Sequence, residues 1–167
     1  MGETTDAAEG LIGADSDTSA AVSAGGHGAD EPNATAGGAV APLTLTIPAR
    51  NDYLRFARLM AVGLATRLDF DYDTVEDLRL AVSELCTALV TACGEQGQIA
   101  LTYQSDGIDS LVIGAAATYA PGVRGGTTPD ELLAPILDSV AEAYQLDLGD
   151  AGGTFLLRMR AGSARAS

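Results

Sequence analysis

The first forty residues contain no aromatic side chain and consist almost wholly of Gly, Ala, Ser, Thr, Asp and Glu. Such a segment cannot bury enough apolar surface to offset the entropy of ordering it. Residues 1–40 are therefore predicted to be a disordered tail, and a fold must come from residues 41–161, with 162–167 as a short polar C-terminal tail. About 120 residues suffice for one hydrophobic core. All seven charges of the N-terminal tail are acidic (Glu3, Asp6, Glu9, Asp15, Asp17, Asp30, Glu31), and the rest of the chain carries sixteen acids against nine arginines, for a net charge of −14. No lysine is present, which excludes a P-loop lysine or a Schiff-base lysine. The charge also argues against a nucleic-acid partner, since binding a phosphate backbone needs a basic patch. A basic or polar protein surface is the expected partner.

Other classes fall away on single residues. Cys86 and Cys93 lie two helical turns apart, roughly 10 Å along one axis, too far for a disulfide, and read as small buried hydrophobes. His27 sits alone in a glycine-rich stretch, so no zinc cluster can be assembled and no metal site is expected. No apolar leader and no run approaching eighteen apolar residues is present, Gly2 lacks the myristoylation context, and Asn33-Ala34-Thr35 reads as a chance sequon. A soluble, cytoplasmic protein with no membrane contact is expected.

From Leu43 the apolar residues alternate through Leu45 and Ile47 to Pro48, predicting a strand with one buried face. A first helix, capped by Asn51 and ending near Leu68, has the stripe Leu54, Ala57, Leu59, Ala61, Val62 and Leu64. A second begins at Asp73 with Glu76 as an acidic capping box and runs through Val75, Leu78, Val82, Leu85, Cys86, Leu89 and Val90. Alternation over 97–103 and 110–115, broken at Ser105-Asp106-Gly107, predicts a hairpin. Residues 116–128 read as loop. Pro135 confines a third helix to about 135–144. A last strand pair, 144–148 and 154–160, closes the chain. The order β-α-α-β-β-α-β-β predicts an α+β fold, a two-layer sandwich with a mostly antiparallel sheet and helices on one face.

The string Asp77-Leu78-Arg79-Leu80-Ala81-Val82-Ser83-Glu84-Leu85-Cys86-Thr87 resembles the second-helix signature of the anti-sigma factor and serine-protein kinase family, which has the histidine-kinase-like (GHKL) ATPase fold. Asp69-Phe70, the Leu43–Pro48 strand, Pro135-Ile136-Leu137 and Gly152-Gly153-Thr154 also fall where that family has counterparts, so the resemblance spans roughly residues 42–160. It implies a homodimeric switch that holds a sigma factor away from RNA polymerase, exchanges it for an anti-sigma factor antagonist, and phosphorylates that antagonist with Mg-ATP. On the same resemblance Glu84 takes the family's base position, and Gly153 and Thr154 fall among its nucleotide-pocket residues.

The machinery for phosphoryl transfer is incomplete. A triphosphate needs a divalent ion to neutralise its charge. Where the family carries the metal-binding Asn, this chain has Ala88, which offers a hard cation no oxygen. Ala115, Ala117 and Tyr119 replace the adenine-contacting Asp and its spaced glycines. The phosphate lid is reduced to Gly122, Gly125 and Gly126. The expected function is therefore sigma-factor binding and exchange without kinase activity and without a cofactor. The alternatives are an active serine-protein kinase using Mg-ATP, and a ligand sensor or dimerisation scaffold. Arg50, Arg55 and Arg58 surround the first strand and helix, either to meet acidic partner surfaces or simply as a solvated face. Tyr119 either plugs the pocket or lies on a loop in water.

Overall fold

A computed structural model of the chain describes residues 39–94, 97–122, 129–150 and 152–162. The chain divides into two units, Met1–Glu31 and Pro32–Ser167, of which the first lies wholly outside the described residues. The predicted disorder of 1–40 falls outside them up to residue 38, as do Gly125 and Gly126 of the reduced lid and the C-terminal tail from 163 onward.

Val40 is buried and donates its N–H to Ser105 Oγ at 2.7 Å. Strand β1 (Leu43–Pro48) follows, then a 3-10 turn at Asn51–Tyr53 and helix α1 (Leu54–Arg67). Helix α2 (Tyr72–Cys93), strands β2 (Gln98–Ser105) and β3 (Ser110–Thr118), helix α3 (Leu133–Val140), and strands β4 (Ala143–Leu148) and β5 (Gly152–Arg160) complete the order. The five strands form one antiparallel sheet, ordered β1-β2-β3-β5-β4. Alternation sends Ile99, Leu101 and Tyr103 of β2, Leu111, Ile113, Ala115 and Ala117 of β3, and Gly153, Phe155, Leu157 and Met159 of β5 into one buried layer with the helices. This is the predicted α+β two-layer sandwich with an antiparallel sheet. The opposite face carries Thr46 on β1, Ala100 and Thr102 on β2, Gly114 and Ala116 on β3, and Thr154 and Leu156 on β5, all exposed except the half-buried Gly114.

Several local expectations are corrected. Helix α2 starts at Tyr72, because its N-cap is Asp71, whose carboxylate accepts the Thr74 N–H at 2.8 Å, and the Asp73–Glu76 box does not form the start. Asn51 does not cap α1: it opens the 3-10 turn, and α1 begins after Tyr53 with no side-chain cap. Leu59 is 70% exposed, its place on the buried stripe going to Ala65. Strand β1 lies at the sheet edge, so only Ile47 is buried and Leu43 stays exposed. Strand β3 runs to Thr118 through residues expected as loop. Helix α3 spans Leu133–Val140 instead of 135–144, with Pro135 in its first turn, where a missing N–H costs little.

Between α1 and α2 the chain reverses at Asp69, whose φ of 55° is in the left-handed region that Asp tolerates better than most residues. The turn lets Phe70 drop into the core and brings the two helices side by side.

Candidate functional site

The C-terminal half of α2 forms one wall of a cavity of about 330 Å³. Glu84, Thr87, Ala88 and Thr91 stand at i, i+3, i+4 and i+7, hence on one face of the helix. The far wall comes from Pro129 and Asp130, from Leu133 at the start of α3, and from Leu148 at the end of β4. Glu84 is half-buried there. Thr91 Oγ1 donates to the Thr87 carbonyl at 2.9 Å, and Asp130 Oδ1 accepts from the Leu132 N–H at 2.9 Å, fixing the turn into α3.

Of the residues singled out in the sequence, the structure brings Glu84 and Ala88 to this cavity. Gly153 lies behind it, in the sheet beneath α2. A Cβ there would stand 2.8 Å from Leu89 Cδ2 and 3.0 Å from Leu148 Cδ2, so packing of helix on strand accounts for this glycine. Thr154 is not brought to the cavity. It is exposed and leaves β5 on the face opposite Gly153, paired with Ala116, because side chains alternate along a strand. Thr128-Pro129-Asp130-Glu131 reads in the sequence as a helix start, which marks Asp130 for a turn but not for a site, and no local sequence pattern marks Leu133 or Leu148. Thr87 and Thr91 could have been found from their spacing to Glu84.

Ala115 and Ala117 are buried in the helix-facing layer. Tyr119 is likewise packed into the core, at 9% exposure, and does not lie on a loop in water. Its hydroxyl is buried with no hydrogen-bond partner among the described residues. Burial pushes its pKa up, and the nearby Cys93, Asp147 and Asp150 push in the same direction. Both cysteines are free and buried, as expected. Burial drives the Cys86 thiol up to about 12, against a smaller opposing pull from Arg58, and it raises Cys93 as well.

The residues present do not fit a magnesium triphosphate. The position one turn after Glu84 is a methyl group, both ionisable groups among the described cavity residues are carboxylates, and among the described residues no three His, Cys, Asp or Glu side chains converge to hold a metal ion.

A second surface lies across α1 and α2, where Arg55, Arg58 and Arg79 surround a groove of about 570 Å³ that also contains Leu59, Val62 and Tyr72. Arg58 donates to Ser83 Oγ at 3.4 Å, Arg79 pairs with Glu76 at 2.7 Å, and the Arg55 guanidinium lies 4.8 Å from the centre of the Phe56 ring. Leu59 and Tyr72 are 70% and 76% exposed, so cations and apolar side chains share this face. Arg50 is held instead by Asp52 at 3.2 Å. Among the described residues no helix is long and apolar enough to cross a membrane.

No family profile matches the chain. Curated relatives named serine-protein kinase RsbW, from Bacillus thuringiensis (strain Al Hakam), Bacillus cereus (strain AH820) and Bacillus anthracis (strain CDC 684 / NRRL 3495), are each 36% identical to it over 63 residues. The matched segment is 36% of this chain, and the chain spans about two-fifths (39%) of the length of those relatives. Among solved structures, the RsbU and RsbW domains of Rv1364c from Mycobacterium tuberculosis superpose with a TM-score of 0.57 at 17% identity, over 73% of this chain and 33% of that one. The chain is thus similar in part of its sequence to the anti-sigma and serine-protein kinase family, and it shares the histidine-kinase-like fold of an RsbW domain.

Proposed function

We propose that the chain is a cytoplasmic anti-sigma regulatory factor that sequesters a sigma factor, exchanges it for an antagonist protein, and does so as a homodimer without phosphoryl transfer or a bound nucleotide. The partial similarity to RsbW supports the regulatory class. The observation that carries the non-catalytic reading is Ala88, whose methyl group lines the cavity one turn beyond Glu84. A carboxylate base with no metal ligand beside it lacks the charge neutralisation that in-line transfer needs. Burial of Ala115, Ala117 and Tyr119 in the core supports the same reading, since none of them presents a carboxylate to an adenine.

The arginine face across α1 and α2 supports a protein partner. Arg55, Arg58 and Arg79 can take carboxylates in bidentate pairs, Tyr72 is an anchor of the kind that dominates interfaces, and Leu59 adds exposed apolar area beside it. Glu84 remains as an inherited side chain, and Gly153 and Thr154 have no nucleotide role in this reading. In this reading the folded domain spans 41–161, and neither nucleic acid nor membrane is a partner.

The test is co-elution of the purified full chain with each purified sigma factor of its native host, with and without Mg-ATP, together with a phosphate-transfer assay on candidate antagonists. The expected result is one stable complex whose affinity ignores nucleotide, with no labelled antagonist. A complex that requires Mg-ATP, or a phosphorylated antagonist whose labelling is lost in Glu84→Ala, would establish the active serine-protein kinase instead. Binding to no transcription protein would leave a sensor or scaffold.

A further inference from the structure

An open sheet has two edges, and each presents backbone groups with no strand beside them. Here the edge strands are β1 and β4. Charge commonly guards such an edge, and β4 carries Asp147 with Glu142 and Asp150 beyond its ends. Strand β1 carries no ionisable side chain. The Ala49 N–H donates to the Gly97 carbonyl at 2.8 Å in step with the β1–β2 register, so Leu43, Leu45 and Ile47 likewise bond to β2. The same alternation turns the N–H and C=O of Thr44 and Thr46 to the free edge, and Pro48, with no N–H, ends the row. Beside this edge the helical layer stops short. Leu45 lines an apolar groove of about 270 Å³ with Phe56, Leu59, Met60 and Gly63, which share one face of α1. Phe56 and Leu59 are 40% and 70% exposed. Gly63 is informative: glycine destabilises a helix interior relative to alanine, yet a Cβ there would meet no atom of the described residues within 4 Å. No packing among the described residues requires the glycine, and a larger side chain would fill the groove.

We propose that the β1 edge and this groove receive an extended segment of another protein, which adds to the sheet beside β1, a proposal that rests on the protein-binding function proposed above. An unpaired edge specifies an extended backbone, because only a strand matches its spacing of donors and acceptors. Such a strand lies about 4.8 Å from β1, with successive side chains on opposite faces. Every second side chain therefore falls in the layer of Leu45, over Phe56, Leu59 and Gly63, and an apolar residue suits each of those positions. Charge favours a partner over a second copy. Beside the groove the Arg55 guanidinium lies 4.8 Å from the centre of the Phe56 ring and makes no ion pair among the described residues. Residues 39–49 of a second copy contain no carboxylate to meet it. A partner strand that is apolar at alternate positions and acidic at one end satisfies the edge, the groove and the arginine together.

The probe is a fluorescein-labelled peptide in which valine and threonine alternate after two aspartates, titrated with the full chain and read by fluorescence anisotropy. Binding with a Kd below about 1 mM is expected. Methylating one alternate set of peptide amide nitrogens should weaken it at least tenfold and methylating the other set should not, a phase that side-chain contact alone would not produce. Lysines in place of the aspartates should also weaken it. Gly63→Leu, which fills the groove, should reduce binding at least tenfold with an unchanged circular dichroism spectrum and no loss of Tm. Should Gly63→Leu fail to fold, Thr46→Pro makes the same test from the edge, by removing an N–H that β2 does not use. No binding at about 1 mM, or binding indifferent to amide methylation and to both variants, would overturn the proposal. A chain that dimerises on concentration, excludes the peptide and loses its dimer in Thr46→Pro would overturn it in favour of a second copy at the edge. Peptide binding as expected in a chain that co-elutes with no sigma factor would support this site and refute the anti-sigma reading alone.

Discussion

Gly153 is assigned to a nucleotide pocket by resemblance and to helix–sheet packing by geometry, and Gly153→Ala separates the two. The new Cβ would meet Leu89 Cδ2 at 2.8 Å and Leu148 Cδ2 at 3.0 Å, whereas carbon atoms pack at about 3.5–4.0 Å, so each neighbour must give roughly 0.5–1 Å. Leu148 is half-buried and can turn toward the cavity, but Leu89 is fully buried and has nowhere to go. Overpacking of this kind costs about 1–3 kcal/mol, offset by about 0.4–1 kcal/mol because Ala restricts the unfolded chain more than Gly does. A net loss of about 1–2 kcal/mol is expected, lowering Tm by roughly 4–8 °C for a domain of this size. Urea denaturation followed at 222 nm measures it, in both the wild type and a Leu89→Ala background. Shortening Leu89 removes the obstruction, so the penalty of Gly153→Ala should nearly vanish there, a non-additivity of about 1–2 kcal/mol. An equal penalty in both backgrounds, or none in either, would refute the packing account.

Tyr119→Phe removes a buried hydroxyl that has no partner among the described residues, so it should leave stability unchanged or raise it by about 1 kcal/mol in the same urea assay; a clear loss would mean that the hydroxyl is bonded in solution. Asp71→Ala deletes the N-cap of α2 and should lower Tm at pH 7. The cap bond to Thr74 lowers the folded-state pKa of Asp71, so its contribution is present above the unfolded value near 3.9 and is lost as pH falls through the lower folded value; the Tm gap to wild type should therefore close in acid, and a gap constant down to pH 2 would contradict this. With Cys86 held up to about 12 and Cys93 also raised, neither thiol should react with a disulfide reagent at pH 8 until urea unfolds the domain. Rapid native-state labelling would show one of them to be accessible.

The elements legible in advance were those whose hydropathy has a clear period. In α2 the residues Leu78, Val82, Leu85 and Leu89 repeat every three or four positions, and all four are fully buried. The end of strand β3 is not legible, because Ala115, Ala116 and Ala117 are identical in chemistry while alternating in burial, so nothing in the sequence distinguishes the inward from the outward positions. The start of α2 is ambiguous in the sequence because Asp71 and Asp73 are both competent caps, and only the backbone decides which carboxylate reaches an N–H. Leu59 reads as core on a helical wheel, but α1 packs beside an edge strand and leaves that side of the helix uncovered. The candidate site divides in the same way. Its α2 wall is written at fixed spacing around Glu84, while Asp130, Leu133 and Leu148 arrive from distant segments through the order of the sheet. The face that Thr154 takes needs the register: one residue along a strand exchanges the helix-covered face for the open one.

That one-residue parity also bears on how the chain is used. On β5, Gly153 and Phe155 face the helices while Thr154 and Leu156 face outward, and their pairing partners on β3 divide the same way, Ala117 and Ala115 inward, Ala116 and Gly114 outward. The inward set is small where α2 presses on the sheet, as at Gly153 beneath Leu89, while the cavity face of the same helix carries Glu84 and Ala88. The outward set at the centre of the sheet is small and neutral, while Gln98, Gln104, Asp147, Arg158 and Arg160 lie around it on the same face. Substitutions on the two sides should therefore separate in effect: inward changes such as Gly153→Ala alter stability, whereas outward changes such as Ala116→Ser leave it nearly unchanged. The arginine face across α1 and α2 lies on the helical layer, which the sheet separates from the open face, so a substitution at Ala116 leaves Arg55, Arg58 and Arg79 in place.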